Sequence, residues 1–201
     1  MIKMNAKFNQ SPLINVTGNL NPLGMCLGLS TCFLIACKKN KVKEFWKDIE
    51  NSFCPPKGQV LNASFIGGEG YVNLANRIQE NLNEYHQDVE KILNEAKITK
   101  SVDDRAKVPF QNVNMRIYDL LEKQNAPYVI LVIQGKTSAH AISLFVKKKT
   151  EVDIFEPNFG WITCTGKSLD ETLSETTKVL EDIDKAYNGI FNDGIEILGY
   201  K

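Results

Sequence analysis

Read for where apolar residues recur, the first fifty residues divide sharply. Residues 11–22 (SPLINVTGNLNP) are rich in Pro, Gly, Asn and Ser, the composition of a loop. From Leu23 the chain turns apolar and stays so to Cys37. Leu23, Leu27, Ser30, Leu34 and Cys37 recur at helical steps, and Leu29, Phe33 and Ala36 fill a second face, so nearly the whole circumference of the predicted helix is apolar. Such a helix belongs inside a domain. Lys38, Lys39 and Asn40 close it with cations near the negative end of its dipole. An amphipathic helix is predicted next, over residues 42–53.

Cys54-Pro55-Pro56-Lys57-Gly58 breaks that helix, and Gly67-Gly68-Glu69-Gly70 marks a further loop. A long polar helix is then predicted from about 71 to 98, with Leu74, Ile78, Leu82, Tyr85, Val89 and Ile92/Leu93 as its stripe. A charged connector (101–107) leads to a shorter helix near 113–123. After it the period changes from helical to alternating. Residues 128–134, 139–146, 152–155 and 161–165 read as short strands of an antiparallel sheet, separated by turn residues. A surface helix comes next over 168–187, its apolar side formed by Leu169, Leu173, Thr176/Thr177, Leu180 and Ile183, and residues 194–200 return as a last strand. Helices first and strands second predict an α+β domain, with the buried helix laid against a twisted sheet. Residues 1–22 are assigned to an N-terminal segment and loop, and 23–201 to a single domain; no internal repeat is present.

Composition narrows the function classes. The chain has 201 residues, enough to bury a core without staples. Its 24 basic and 24 acidic residues cancel, which argues against a broad nucleic-acid footprint and names no partner. No apolar run approaches the roughly 18 to 20 residues needed to cross a bilayer, so no transmembrane segment is expected. The opening MIKMNAKFNQ lacks the apolar run and small-residue cleavage site of a Sec signal. The five cysteines, Cys26, Cys32, Cys37, Cys54 and Cys164, contain no CxxC pair and no zinc spacing. Neither a disulfide framework nor a metal site is expected, and no cofactor is called for.

The candidate chemistry starts from histidine, because a thiol or hydroxyl nucleophile needs a base and the chain has only two. His86 falls in a polar helical run and reads as solvent-facing. His140 begins a strand and shares a face with Ile142, Leu144 and Val146, at the rim of the core. On the next strand Val152, Ile154 and Glu156 share a face, so a hairpin can bring Glu156 near the start of the His140 strand. Pro157 and Gly160 stiffen the turn there. Cys26 opens the buried helix, where unpaired backbone N–H groups and the helix dipole favour a thiolate. Cys32 and Cys37 read instead as small apolar core residues.

Cysteine at the start of a buried helix, then histidine and an acid on neighbouring strands, is the layout of papain-like enzymes. The segments NPLGMCLGLS, SAHAISLF and FEPNFGWI resemble those of the YopT/AvrPphB group of papain-like cysteine proteases delivered by bacteria into host cells. The resemblance implies a papain-like fold with Cys26 as nucleophile, His140 as general base, Glu156 as the orienting acid and Asn21 as the side-chain donor of the oxyanion hole. That family carries Asp where this chain has Glu156, and Asn158 is an alternative third member by analogy with Cys-His-Asn enzymes. The resemblance further implies a host protein as substrate and delivery into the host cytoplasm by a non-Sec route. The same triad also serves a glutamine deamidase or a transglutaminase, and the fold without the chemistry would be a binding module. Oligomeric state is left open.

Overall fold

A computed structural model describes residues 1–10, 25–53, 70–80, 85–102, 107–134, 139–189 and 194–201. Its elements in chain order are β1 (Ile2–Lys7), α1 (Cys26–Lys38), α2 (Val42–Phe53), α3 (Tyr71–Glu80), α4 (Tyr85–Glu95), β2 (Lys100–Val102), α5 (Val113–Gln124), β3 (Tyr128–Gln134), β4 (Ala139–Lys148), β5 (Glu151–Glu156), β6 (Gly160–Thr165), α6 (Leu169–Ala186) and β7 (Ile195–Tyr200). The strands form one seven-stranded sheet in the order β1-β6-β5-β4-β3-β7-β2, with every neighbouring pair antiparallel.

The two faces of the sheet carry separate cores. On one face α1 is buried along its length, from Cys26 to Cys37, and packs with α2, α3 and α4 against Ile130, Val132, Ala141, Phe155 and Leu198. Its two hydroxyls are both satisfied, one by the sheet and one within the helix: Ser30 Oγ donates to the Ala141 carbonyl of β4 at 3.0 Å and Thr31 Oγ1 to the Leu27 carbonyl at 2.8 Å. Phe33 stacks on Phe155 with centroids 5.0 Å apart, which anchors α1 to the strand that ends in Glu156. On the other face Val129, Leu131, Ile142, Leu144, Val152, Ile154 and Ile197 meet α5 and α6. The period-two assignment of inward residues in β3, β4 and β5 thus divides the strands between two cores.

One glycine sets the position of α1. A Cβ on Gly28 would lie 2.0 Å from the Ala75 carbonyl oxygen, so the absence of a side chain lets α1 and α3 approach backbone to backbone.

Three elements differ from the sequence expectation. The opening residues, assigned to an N-terminal segment and loop, include β1, which pairs with β6 at the sheet edge. Its residues show no buried alternation because both faces are largely exposed, and backbone pairing with β6 holds it, helped by the Asn5 side chain donating to Thr163 Oγ1 at 2.6 Å. The single helix expected over 71–98 is described as α3 and α4, with residues 81–84 and the expected Leu82 contact outside the described set. α4 ends at Glu95, where Lys97 adopts φ 61 and Ile98 N–H returns to the Leu93 carbonyl at 2.8 Å. Where the charged connector begins, Lys100–Val102 forms β2 against β7.

Candidate active site

The site lies at one end of the sheet, where α1 begins. Cys26 is the first residue of α1, and its predecessor Met25 supplies no side-chain cap. Instead Gln10, itself buried, accepts the Met25 N–H on its Oε1 at 2.9 Å. The stretch that carries Gln10 is held in turn by the hairpin after β5. Phe8 N–H donates to the Phe159 carbonyl at 3.2 Å and Gln10 N–H to the Pro157 carbonyl at 2.9 Å. The helix start and the acid-bearing turn are therefore tied together through the end of β1.

That turn needs its glycine. Gly160 has φ +112, and a Cβ there would stand 2.0 Å from the Ala6 carbonyl oxygen, so both the conformation and the passage of β1 exclude a side chain. Within the turn Phe159 N–H donates to the Glu156 carbonyl at 3.1 Å. The Asn158 N–H donates to Glu156 Oε2 at 2.8 Å, folding the carboxylate back over its own turn.

Ser143 and Phe155 are the last pair of the β4–β5 ladder; parity past it puts His140 and Glu156 on one face, diagonal to each other, while Asn158 falls in the turn that follows β5. The side chain that reaches the imidazole is Glu156: its Oε1 is hydrogen-bonded to His140 Nε2. The side chain of Asn158, the alternative third member, turns away, and its Nδ2 donates to the Tyr187 hydroxyl. Glu156 has no exposed surface, and His140 is only 6% exposed. With Nε2 engaged by the carboxylate, Nδ1 is the nitrogen left for Cys26, whose side chain also hydrogen-bonds His140. Burial alone acts to lower the His140 pKa, but the hydrogen bonds and charges of Cys26 and Glu156 outweigh it and raise it from 6.5 to about 10. A thiol, an imidazole and a carboxylate thus stand in series, with the imidazolium favoured.

The other described cysteines sit in different surroundings. Burial pushes the Cys37 thiol well above its ordinary value and that of Cys164 up to about 11, which keeps both protonated. Cys32 donates to the Tyr71 carbonyl at 3.4 Å. Asn21 and Cys54 and the side chain of His86 lie outside the described residues. Among the described residues, no group of three or more His, Cys, Asp or Glu could hold a metal ion, and no helix is long and apolar enough to cross a membrane.

Two neighbours of the site carry no signal in the sequence pattern. Gln10 falls in the N-terminal segment, to which no site residue before Asn21 is assigned, and Tyr187 closes what reads as a surface helix. The Tyr187 hydroxyl lies 2.9 Å from Glu156 Oε1, and its ring lies 5.0 Å from the imidazole, centroid to centroid.

The family described as "Peptidase_C58: Yersinia/Haemophilus virulence surface antigen" matches residues 2–181, most of the chain. The chain belongs to this family. The YopT/AvrPphB resemblance of the three short segments is thereby extended across both the helical and the sheet halves. No curated protein sequence matches the chain with significance. Two solved structures share its fold at low identity. The avirulence protein AvrPphB of Pseudomonas is 13% identical, with a TM-score of 0.55 over 91% of this chain and 93% of that one. PatoxP, described as a cysteine protease-like domain of the Photorhabdus asymbiotica toxin PaTox, is 13% identical, with a TM-score of 0.51 over 98% of this chain and 53% of that one. The architecture of this YopT/AvrPphB family member is accordingly the papain-like one, with N-terminal helices and a C-terminal antiparallel sheet, and its function is of the cysteine-protease type.

Proposed function

We propose that this protein is a cysteine protease in which Cys26 is the nucleophile, His140 the general acid and base, and Glu156 the acid that orients the imidazole. The observation that carries the proposal is the placement of His140 between a thiol at a helix N-terminus and a buried carboxylate. In the resting site the Cys26 proton resides on His140, giving a thiolate–imidazolium pair. The thiolate attacks the carbonyl carbon of a peptide bond, and the electron pair of the C=O moves to oxygen. That oxyanion is received by the Cys26 backbone N–H, with Asn21 as the side-chain donor that the family resemblance suggests. As the tetrahedral intermediate collapses, His140 gives its proton to the leaving nitrogen and the C–N bond breaks, leaving a thioester on Cys26. The neutral imidazole then takes a proton from water, whose oxygen attacks the thioester, and the acid product departs as the Cys26 thiolate is restored. Glu156 keeps Nε2 protonated throughout, so that Nδ1 is always the nitrogen that exchanges the proton.

The substrate in this reading is a protein of a host cell, reached by delivery of the enzyme into the host cytoplasm by a non-Sec route. Family membership supports this, since the family's description refers to virulence antigens. The test is alkylation of the native protein with iodoacetamide or an E-64-type epoxide from pH 5 to 8, mapped by mass spectrometry, with His140→Ala as control. Fast labelling confined to Cys26, persisting to low pH and slowed in the control, is expected. Labelling of Cys26 at the rate of Cys54 or Cys164 would refute the proposal and favour a binding module. On a host-cell lysate, new protein termini support proteolysis, whereas a gain of about one dalton at glutamine without chain cleavage would replace it with deamidation.

A further inference from the structure

The hydrogen bonds around Glu156 have a direction, and Tyr187 sets it. Tyr187 follows the last residue of α6, its ring tilted 45° to that of His140 and edge-on to Phe159 at 5.9 Å. Its hydroxyl is 2.9 Å from Glu156 Oε1 and 3.4 Å from His140 Nε2, and it is also hydrogen-bonded by Asn158 Nδ2. An amide nitrogen can only donate, so the Tyr187 oxygen accepts there and its own proton points elsewhere. Of the two groups within reach, the buried carboxylate oxygen is the nearer and the stronger acceptor. The chain then runs one way, from the Asn158 amide to Tyr187 and from Tyr187 to Glu156 Oε1, which also receives the His140 Nε2 proton.

We propose that Tyr187 is a positioning residue of this site, acting through Glu156: its hydroxyl fixes the carboxylate oxygen that holds the Nε2–H tautomer of His140 and so keeps Nδ1 turned to Cys26. The inference rests on the protease reading above. The need for such a residue comes from the glutamate itself. Its last torsion is broad and nearly twofold, so a carboxylate fixed only at Oε2, by Asn158 N–H, can still swing Oε1 off the imidazole. The Tyr187 hydroxyl closes that freedom. It remains a donor throughout the pH range of interest, because burial, and then the charge of Glu156, raise its pKa above the usual phenol range.

The titratable groups that act on His140 are Cys26 from α1, Glu156 at the end of β5 and Tyr187 after α6. Two measurements on Tyr187→Phe and Tyr187→Ala test the proposal: the rate of Cys26 alkylation against pH, and the titration midpoint of His140 by NMR, which has only His86 to be distinguished from. Tyr187→Phe keeps the ring contacts and deletes the hydroxyl. The expected result is a fall in the His140 midpoint of about one unit, with Cys26 alkylation slowed by more than about twofold as the imidazole loses its fixed orientation. Combined with Glu156→Gln, Tyr187→Phe should add nothing further, because both act at one oxygen. A Tyr187→Phe variant within twofold of wild type in alkylation, with an unmoved midpoint, would overturn the proposal and leave the ring as packing alone, a role that only Tyr187→Ala would disturb. The midpoint also separates this inference from the reading beneath it. If wild-type Cys26 fails to label quickly, the protease reading falls, while a shifted midpoint in Tyr187→Phe still establishes the Tyr187–Glu156–His140 coupling.

Discussion

Replacing Glu156 by Gln keeps the volume of a side chain that has no exposed surface while removing its charge, and the surrounding hydrogen bonds dictate the consequence. The carboxylate accepts from His140 Nε2, the Tyr187 hydroxyl and the Asn158 backbone N–H. A Gln side chain has one oxygen for two positions. If the oxygen stays on the immovable Asn158 N–H, its NH2 faces Nε2–H, two donors meet, and the imidazole must shift its proton to Nδ1, where it can no longer take one from Cys26. If the oxygen stays on His140, the NH2 faces the Asn158 N–H and the turn is strained. Either way a charge-assisted hydrogen bond worth about 1.5 to 3 kcal/mol is lost from the imidazolium. At about 1.4 kcal/mol per factor of ten, this slows Cys26 alkylation at pH 6 by roughly 10- to 100-fold. The gap should narrow above pH ~9, where a thiol ionises unaided. Removing an opposite charge at this range should also lower the His140 midpoint from about 10 by roughly one to three units. Stability carries the same sign: a histidine whose folded pKa is raised from 6.5 to about 10 contributes fully below pH 6.5 and loses that contribution as the pH rises to 10. The wild-type melting temperature should therefore drop across that window more than that of Glu156→Gln. Stopped-flow or timed alkylation, with melts at each pH, measures all of this. A Glu156→Gln protein within twofold of wild type at pH 6, or an Asn158→Ala protein more impaired than Glu156→Gln, would refute the assignment of Glu156 as the orienting acid.

Two further substitutions probe how the site is held. Gly28→Ala places a Cβ 2.0 Å from the Ala75 carbonyl oxygen, so α1 and α3 must separate; a loss of about 1 to 3 kcal/mol in denaturant unfolding is expected, and an unchanged midpoint would show that the helices do not need this approach. Gln10→Ala leaves the buried Met25 N–H without its acceptor, at about 1 to 3 kcal/mol, and loosens the start of α1; Cys26 alkylation should slow along with the loss of stability, whereas full stability with full reactivity would show that another group caps the helix.

Much of the fold comes from local pattern. The apolar circumference of α1 can be satisfied only by burial on all sides, and the parity of residues along β4 and β5 puts His140 and Glu156 on one face whatever the rest of the chain does. Glycine and proline in the Glu156–Gly160 turn mark its tightness, which the sheet uses to admit β1. These signals are local, and so they survive in one sequence without its partners. They leave open whether Glu156 or Asn158 meets the imidazole, since strand parity stops at Glu156 and does not fix the direction of a side chain in the turn after it.

Tertiary structure settles that contact, because the length of the glutamate and the Asn158 N–H on its far oxygen bring Oε1 to the diagonal neighbour. It also decides β1, whose exposed faces leave no periodic trace and whose stability lies in backbone pairing with a strand more than 150 residues away, as between Ile2 and Cys164. Gln10 and Tyr187 are of the same kind. Each lies next to the site because β1 runs past the turn and α6 packs across the sheet, and nothing in the ten residues around either of them records that approach. Periodicity in the chain determines which way a side chain faces; only the closing of the sheet between its two helical layers determines what it meets there.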